Sequence, residues 1–339
     1  MSATPYPSCL ATPFIAGAVA LLLASCSKAP PADATAPTKI TIQADWYAEA
    51  EEGGNYEAVA KGYYKDAGLD VDLINGGPGG FPFQKVVSGG ADLALGRSDD
   101  VILAVSRGLP IMIICAYMER DPMSVFVHDD SPVRDFADLA GHSIMADPTS
   151  GWIPYLKAQY HMDFGIIPNN FGLAEFIADK TFIQQGFATN EPFYIRKKGV
   201  IPRTLIIANS GYNPYRVIYG NAGFIRSHPD AIRAFVAATL RGWQDFISGD
   251  NAPAKKIILE RNTDMTQEHY DFSMAEMAQD RFVEGDPAKG ERLGLMTRAR
   301  MQQQVDLFVR LKILAAPVPL EKFVSFDYLP PDLKALSNR

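Results

Sequence analysis

The chain has 339 residues, with 32 Lys or Arg against 39 Asp or Glu, a formal charge of −7. Hydrophobic residues make up 47% and charged residues 21%, ordinary globular proportions that exclude a disordered or fibrous chain. The acidic balance excludes electrostatic nucleic-acid binding, and three cysteines at no metal-site spacing, Cys9, Cys26 and Cys115, make neither a disulfide framework nor a zinc site.

Residues 1–27 carry no Asp, Glu, Lys or Arg. Within them Phe14–Ala24 is an unbroken run of apolar and small residues. As a helix it would span only about 16 Å, against a bilayer core of about 30 Å. It reads as the apolar core of a signal peptide, not as a membrane span. Leu23-Ala24-Ser25-Cys26 follows at once and resembles the bacterial lipobox, whose cysteine receives lipid. Ser27–Pro37, dominated by Pro and Ala, reads as a tether. The expectation is a signal peptide over 1–25, a tether over 26–38 and acylation at Cys26. Cys9 is then lost with the leader, and Cys115, inside the run Ile111–Cys115, is a buried small hydrophobe.

From Lys39 onward, short apolar runs alternate with helical patterns. Ile40–Ala44 is a strand, Tyr56–Ala67 a helix stopped by Gly68, and Leu69–Ile74 an alternating strand. A Gly76–Gly80 turn, a helix over Phe83–Ser88 and a strand over Ala91–Leu95 come next. The helix Asp99–Arg107 and the buried strand Ile111–Ala116 complete a first set. A second set has strands at Ser124–Val127, Ser143–Ala146, Thr181–Gln185, Phe187–Thr189 and Thr204–Ala208. Its helices fall at Asp135–Leu139, Ile153–His161 and Pro192–Lys197. A third stretch starts with the apolar run Tyr215–Tyr219, then a helix capped by Ser227 with Ile232, Phe235, Val236, Thr239, Leu240 and Trp243 at helical spacing. The chain beyond reads as helical to about Leu314, with Phe323–Tyr328 a final extended piece. Strand–helix alternation of this kind predicts an α/β fold with a largely parallel sheet.

Six segments share one likeness. They are Asp45-Trp46; Lys61-Gly62-Tyr63-Tyr64 with Gly68-Leu69-Asp70-Val71; Val87-Ser88-Gly89-Gly90-Ala91-Asp92; Arg107-Gly108-Leu109-Pro110; Thr189-Asn190-Glu191-Pro192; and His228-Pro229-Asp230-Ala231 with Arg241-Gly242-Trp243. In order and spacing they resemble the periplasmic solute-binding proteins of ABC transporters, in the branch that binds thiamine pyrimidine precursors, nitrate, sulfonates and taurine. The resemblance implies the type II periplasmic binding protein fold, α/β in class: two lobes, each a mixed, mainly parallel sheet flanked by helices, joined by two hinge strands, with the ligand in the cleft. Lobe one would be 39–118 plus 216–339 and lobe two 119–215. It also implies a permease partner, no cofactor and a monomer in the periplasm or cell envelope, held to a membrane by lipid on Cys26.

Ligands of such sheets sit at the carboxyl ends of strands, which selects the candidate binding residues. Asp45 and Trp46 follow the first strand, with Tyr56 opening the next helix. Arg97 and Ser98 follow Ala91–Leu95, and Ser150, Gly151 and Trp152 open the first helix of the second lobe. Trp152 is expected to face Trp46 as an aromatic clamp. Asn190 and Glu191 follow Phe187–Thr189, with Glu191 the carboxylate to bind an amino group or ring N–H. Tyr117, with Tyr212, lies near the hinge. The Gly76–Gly80 loop lacks the Gly-Lys-Ser/Thr ending of a P-loop, and five scattered histidines offer no metal spacing. Carboxylates outnumber cations among the candidates, which favours an amino-substituted flat heterocycle, such as a thiamine pyrimidine precursor, over a sulfonate, nitrate or taurine-type anion. A pyrimidine-precursor synthase is the enzymatic alternative. It is disfavoured because no nucleophile–base pair can be placed.

Overall fold

A computed structural model describes residues 36–338. By internal contacts the chain divides into Met1–Ala36 and Pro37–Arg339. The expected leader, Cys9, the lipid-bearing Cys26 and the tether up to residue 35 lie outside the described residues. Among the described residues no helix is long and apolar enough to cross a membrane.

Among the described residues ten strands form two sheets of five. They are β1 Thr38–Gln43, β2 Leu69–Ile74, β3 Leu93–Arg97, β4 Ile111–Met118, β5 Met123–His128, β6 Ser143–Ala146, β7 Gly165–Pro168, β8 Ile183–Phe187, β9 Pro202–Ile206 and β10 Arg216–Asn221. The first sheet runs β2-β1-β3-β10-β4 and the second β7-β6-β8-β5-β9. The two repeat one plan. β1 pairs parallel with β2 and β3, and β6 pairs parallel with β7 and β8. The fourth strand in each sheet, β10 or β5, runs antiparallel to both neighbours. Each antiparallel strand is the one the chain enters on arriving from the other sheet. It passes from β4 to β5 through residues 119–122 and returns from β9 to β10 through residues 207–215.

The patterning explains the layers. β4, IMIICAYM, is buried at every position, as a strand covered on both faces must be. Cys115 is fully buried within it, and burial pushes its thiol up to about 12. β2 alternates buried and exposed positions as an edge strand. The helix Pro229–Ser248 buries one stripe, including Phe235, Val236, Trp243 and Phe246. It lies against the helix Gly53–Ala60 at a distance that only glycine permits. A Cβ on Gly242 would meet the Gly54 carbonyl oxygen at 2.3 Å, and one on Gly54 would meet the Trp243 ring at 2.1 Å.

Some expected elements differ. The single helix over Tyr56–Ala67 is two, Gly53–Ala60 and Tyr63–Asp66, because Gly62 adopts a φ of 74° and breaks the ladder between them. Ser227 caps nothing: it closes the helix Ala222–Ser227, its hydroxyl donating to the Phe224 carbonyl at 3.0 Å. The extended piece near 323–328 is a short helix, Leu320–Phe323, with one bridge from Val324 to Ile113. β7 and the helix Ala174–Ala178 were not read from sequence.

Candidate functional site

The parallel strands of both sheets end at one cleft, and the antiparallel strands begin there. Its volume is about 250 Å³. From the first sheet come Asp45 and Trp46 after β1, Arg97 at the end of β3, Asp100 in the helix Ser98–Ser106, and Arg216 at the start of β10. From the second come Met123 at the start of β5, Asp147 and Ser150 after β6, Asn169 and Phe171 after β7, and Gln185 to Phe187 with Asn190 and Glu191 at and after β8. β5 and β10, the strands entered after each crossing, thus start at the same space, Met123 and Arg216 facing it.

Both guanidinium groups on the wall are already paired. Arg216 donates from Nη2 to Asp45 Oδ2 at 2.6 Å and from Nε to the Tyr117 hydroxyl at 3.1 Å. It also lies 5.5 Å from the centre of the Phe187 ring. Arg97 donates to Asp99 at 3.2 Å and to Asp100 at 3.1 Å. Desolvation pushes the Asp100 carboxyl up to about 7 in spite of Arg97. Four carboxyl groups therefore line the cleft, Asp45, Asp100, Asp147 and Glu191, against two cations each held by an acid.

Glu191 opens the helix Glu191–Lys197 and turns back on β8, where Oε2 accepts from the Phe187 N–H at 2.6 Å. Gly186 makes room for it, since a Cβ there would fall 2.5 Å from the Glu191 carboxyl carbon. Desolvation pushes this carboxyl up to about 7, aided by the charge of Glu51 and opposed by the backbone hydrogen bonds. Trp46 meets Phe171 at a ring-centre distance of 5.4 Å across the mouth.

The lobes touch on one side of the cleft. Thr189 donates to Glu51, and Asn190 Nδ2 donates to both oxygens of Glu49 at 3.0 and 3.2 Å. Ser273, on the helix Gln267–Gln279, donates to the Thr189 carbonyl at 2.7 Å. His269 of that helix stacks on Phe193 and meets the edge of Tyr194.

Of the residues proposed from sequence, Asp45, Trp46, Arg97, Ser150, Asn190 and Glu191 line the cleft. Five do not. Trp152 is fully buried, stacks on Phe164 and donates its indole N–H to Gln185 at 3.2 Å. A buried indole needs a partner for its N–H, and Gln185 of β8 supplies it. Phe171 holds the place expected for Trp152 as the aromatic opposite Trp46. Gly151 packs against the Tyr212 hydroxyl, 2.2 Å from where a Cβ would stand. Ser98 donates to Gln304 at 2.8 Å and accepts from the Tyr215 N–H at 3.0 Å, which uses its hydroxyl within the first lobe. Tyr56 is buried, its hydroxyl bonded to Asn75 at 3.2 Å. Tyr117 is fully buried and reaches the cleft only through Arg216. Tyr212 is likewise buried, donating to Asp99 at 2.6 Å.

Sequence reasoning missed Arg216, Asp100, Phe171 and Gln185. Arg216 had a readable signal, a lone charge between the aromatic and apolar residues of Tyr215-Arg216-Val217-Ile218-Tyr219. Among the described residues no group of three or more His, Cys, Asp or Glu could hold a metal ion.

The family model described as NMT1/THI5 like matches residues 50–252. The riboflavin-binding protein RibY of Chloroflexus aurantiacus is 26% identical over 68% of this chain and 72% of its own. The formylaminopyrimidine-binding protein of Halalkalibacterium halodurans is 35% identical over 37% of this chain and 38% of its own length. Among solved structures, the alkanesulfonate-binding protein SsuA of Xanthomonas axonopodis pv. citri superposes with a TM-score of 0.64 at 13% identity, covering 85% of this chain and 98% of that one. The fold is the two-lobed periplasmic binding protein fold.

Proposed function

This chain belongs to the NMT1/THI5-like family, and from that premise we propose that it is a solute-binding protein of an ABC importer whose ligand is an amino-substituted flat heterocycle. The observation that carries the reading is the charge state of the cleft. Arg97 and Arg216 are each committed to a carboxylate, while Glu191 stands on the wall with a carboxyl near neutrality. An anion such as a sulfonate or nitrate would have to displace Asp45 or Asp100 from its arginine and leave that acid unpaired, which is costly. A neutral or weakly basic heterocycle asks for none of this. Trp46, Phe171 and Phe187 offer ring faces. Glu191 pairs with an amino group or ring nitrogen, and the Gln185 amide, its Oε1 taken by Trp152, turns Nε2 to the ligand.

The two relatives named for what they bind, riboflavin and a formylaminopyrimidine, are both nitrogen heterocycles, in keeping with this choice. No histidine or cysteine is among the described residues that line the cleft, so no nucleophile–base pair supports an enzymatic reading. The lobe limits we adopt, 39–118 with 216–339 and 119–215, are supported by the two crossings between sheets. We place the protein in the cell envelope, anchored by lipid on Cys26 beside a permease.

The test is mass spectrometry of solute carried through purification, followed by thermal shift with a formylaminopyrimidine, riboflavin and an alkanesulfonate. A true ligand at 100 times its Kd stabilises the protein by about 2.7 kcal/mol. A shift with the sulfonate alone would overturn the heterocycle reading.

A further inference from the structure

The contact between lobes on the Glu191 side is unusual in its chemistry. The turn Ala50–Glu52 and the residue before it put three glutamates, Glu49, Glu51 and Glu52, out of water, the first two of them bonded to the segment Thr189–Glu191. Cations that would ordinarily accompany buried carboxylates are nearly missing from this contact. The charged groups facing it are Asp45 after β1, Glu191 of the second lobe, and Arg216 of β10. Arg216 is held by Asp45. Three hydrogen-bonding features show the same shortage. Glu51 Oε2 is buried with no partner among the described residues, as is Asn190 Oδ1. Glu52 reaches only the Glu49 N–H, at 3.1 Å.

We infer that Glu49 and Glu51 form a carboxyl latch, which holds Thr189 and Asn190 of the second lobe so that the following Glu191 is positioned on the cleft, and which releases the lobes when its acids ionise. A carboxylate left in this contact keeps an unpaired charge in low dielectric, whereas opening the cleft lets water reach it. An acid proton removes that charge. Burial, reinforced by Glu51, Glu52 and Glu191, holds Glu49 well above the usual glutamate range. Burial also raises Glu51, against the hydrogen bond from Thr189 and the charge of Arg216, and Glu52 well above its usual value.

The sign follows from linkage. The closed form binds more protons than the open form, so closure is full at low pH and weakens as pH rises through the closed-form values. His269, on the helix packed against Phe193 and Tyr194, is pushed down to about 4 by desolvation and stays neutral over this range. The remaining charged pair between these elements, Lys197 with Glu268, is exposed.

Because the latch joins lobe to lobe, it can be tested without ligand, and the outcome is independent of which solute binds. The full chain is titrated from pH 5 to 8.5 by small-angle X-ray scattering and by acrylamide quenching of tryptophan. Trp46 reports the mouth, since Trp152 and Trp243 are fully buried. The radius of gyration and the quenching constant should both rise with pH, with a midpoint well above 4.5, the ordinary glutamate value. The double variant Glu49→Gln with Glu51→Gln keeps the acceptors without the charge, and its response should flatten to the closed values. Thr189→Val should be open at every pH while retaining the wild-type circular dichroism. A wild type that does not respond, or a double variant that responds like wild type, overturns the latch. If the double variant does not fold, the wild-type titration and Thr189→Val decide.

Discussion

Glu191 owes its place to local geometry. Proline at 192 fixes the first turn of its helix, the Phe187 N–H holds one carboxyl oxygen, and Gly186 leaves the space the carboxyl occupies. Glu191→Gln keeps size and the accepted hydrogen bond but forfeits the charge and the acid proton. Losing one partner of a buried polar contact costs about 1–3 kcal/mol, so calorimetry should show ligand affinity falling by roughly 5- to 150-fold, with the unfolding midpoint in urea retained. Unchanged affinity would remove Glu191 from the site. Its position in Asn190-Glu191-Pro192 made it readable, because strand-end placement and a first-turn proline are local signals. Asp45 and Trp46 were readable for the same reason. Ser98, after β3, and Trp152, at the start of a helix, do not line the cleft. What sequence lacked there was direction: both turn toward partners on other elements, Gln185 and Gln304, which no local pattern encodes.

At the scale of elements, the cleft depends on a packing chain that begins far behind it. The helices Gly53–Ala60 and Pro229–Ser248 meet through Gly54 and Gly242, which seats Trp243. Trp243 stacks on Tyr117 at 5.5 Å, and the Tyr117 hydroxyl accepts from Arg216. Gly54→Ala would force a methyl group into the Trp243 ring. Overpacking of this kind costs about 1–3 kcal/mol, and the midpoint in urea should fall accordingly. Affinity should weaken as well, since displacement of Trp243 reaches Arg216 through Tyr117. A variant of wild-type stability would show that the two helices separate without cost. Amphipathic spacing marked Pro229–Ser248 as a helix, but Gly54 and Gly242 are distant in sequence, and nothing in either segment names the other. Arg216 escaped for the same reason. The groups that define its role, Asp45 and Tyr117, come from two other strand regions.

For the molecule as a whole, alternation of strands and helices carried the class of the fold, and six short segments carried the resemblance. Phe171 was out of reach. It sits between Asn170 and Gly172 in a loop after β7 with a φ of 61°, and β7 itself was unread. The proposed anchor belongs to the scale of the whole chain too, because it would decide where the cleft works. One acyl chain gives only marginal membrane binding, so stable attachment needs more than one. If Cys26 carries them, the full chain expressed in a bacterial host should enter the detergent phase of a Triton X-114 separation, and Cys26→Ser should remain in the aqueous phase. Equal partitioning of the two would exclude lipid at that residue.

The order in which β10 joins its sheet bears on how the protein is made. β10 lies between β3 and β4, yet it is synthesised about a hundred residues after either of them. The second sheet is contiguous in sequence, from β5 to β9. On a chain that emerges from its amino end, that lobe has every strand it needs while the first still has a gap in its middle. The later-begun half is thus the first able to finish, and the earlier one waits with β3 and β4 unpaired along the edges that β10 will fill. Until then those edges are open to pairing with other chains.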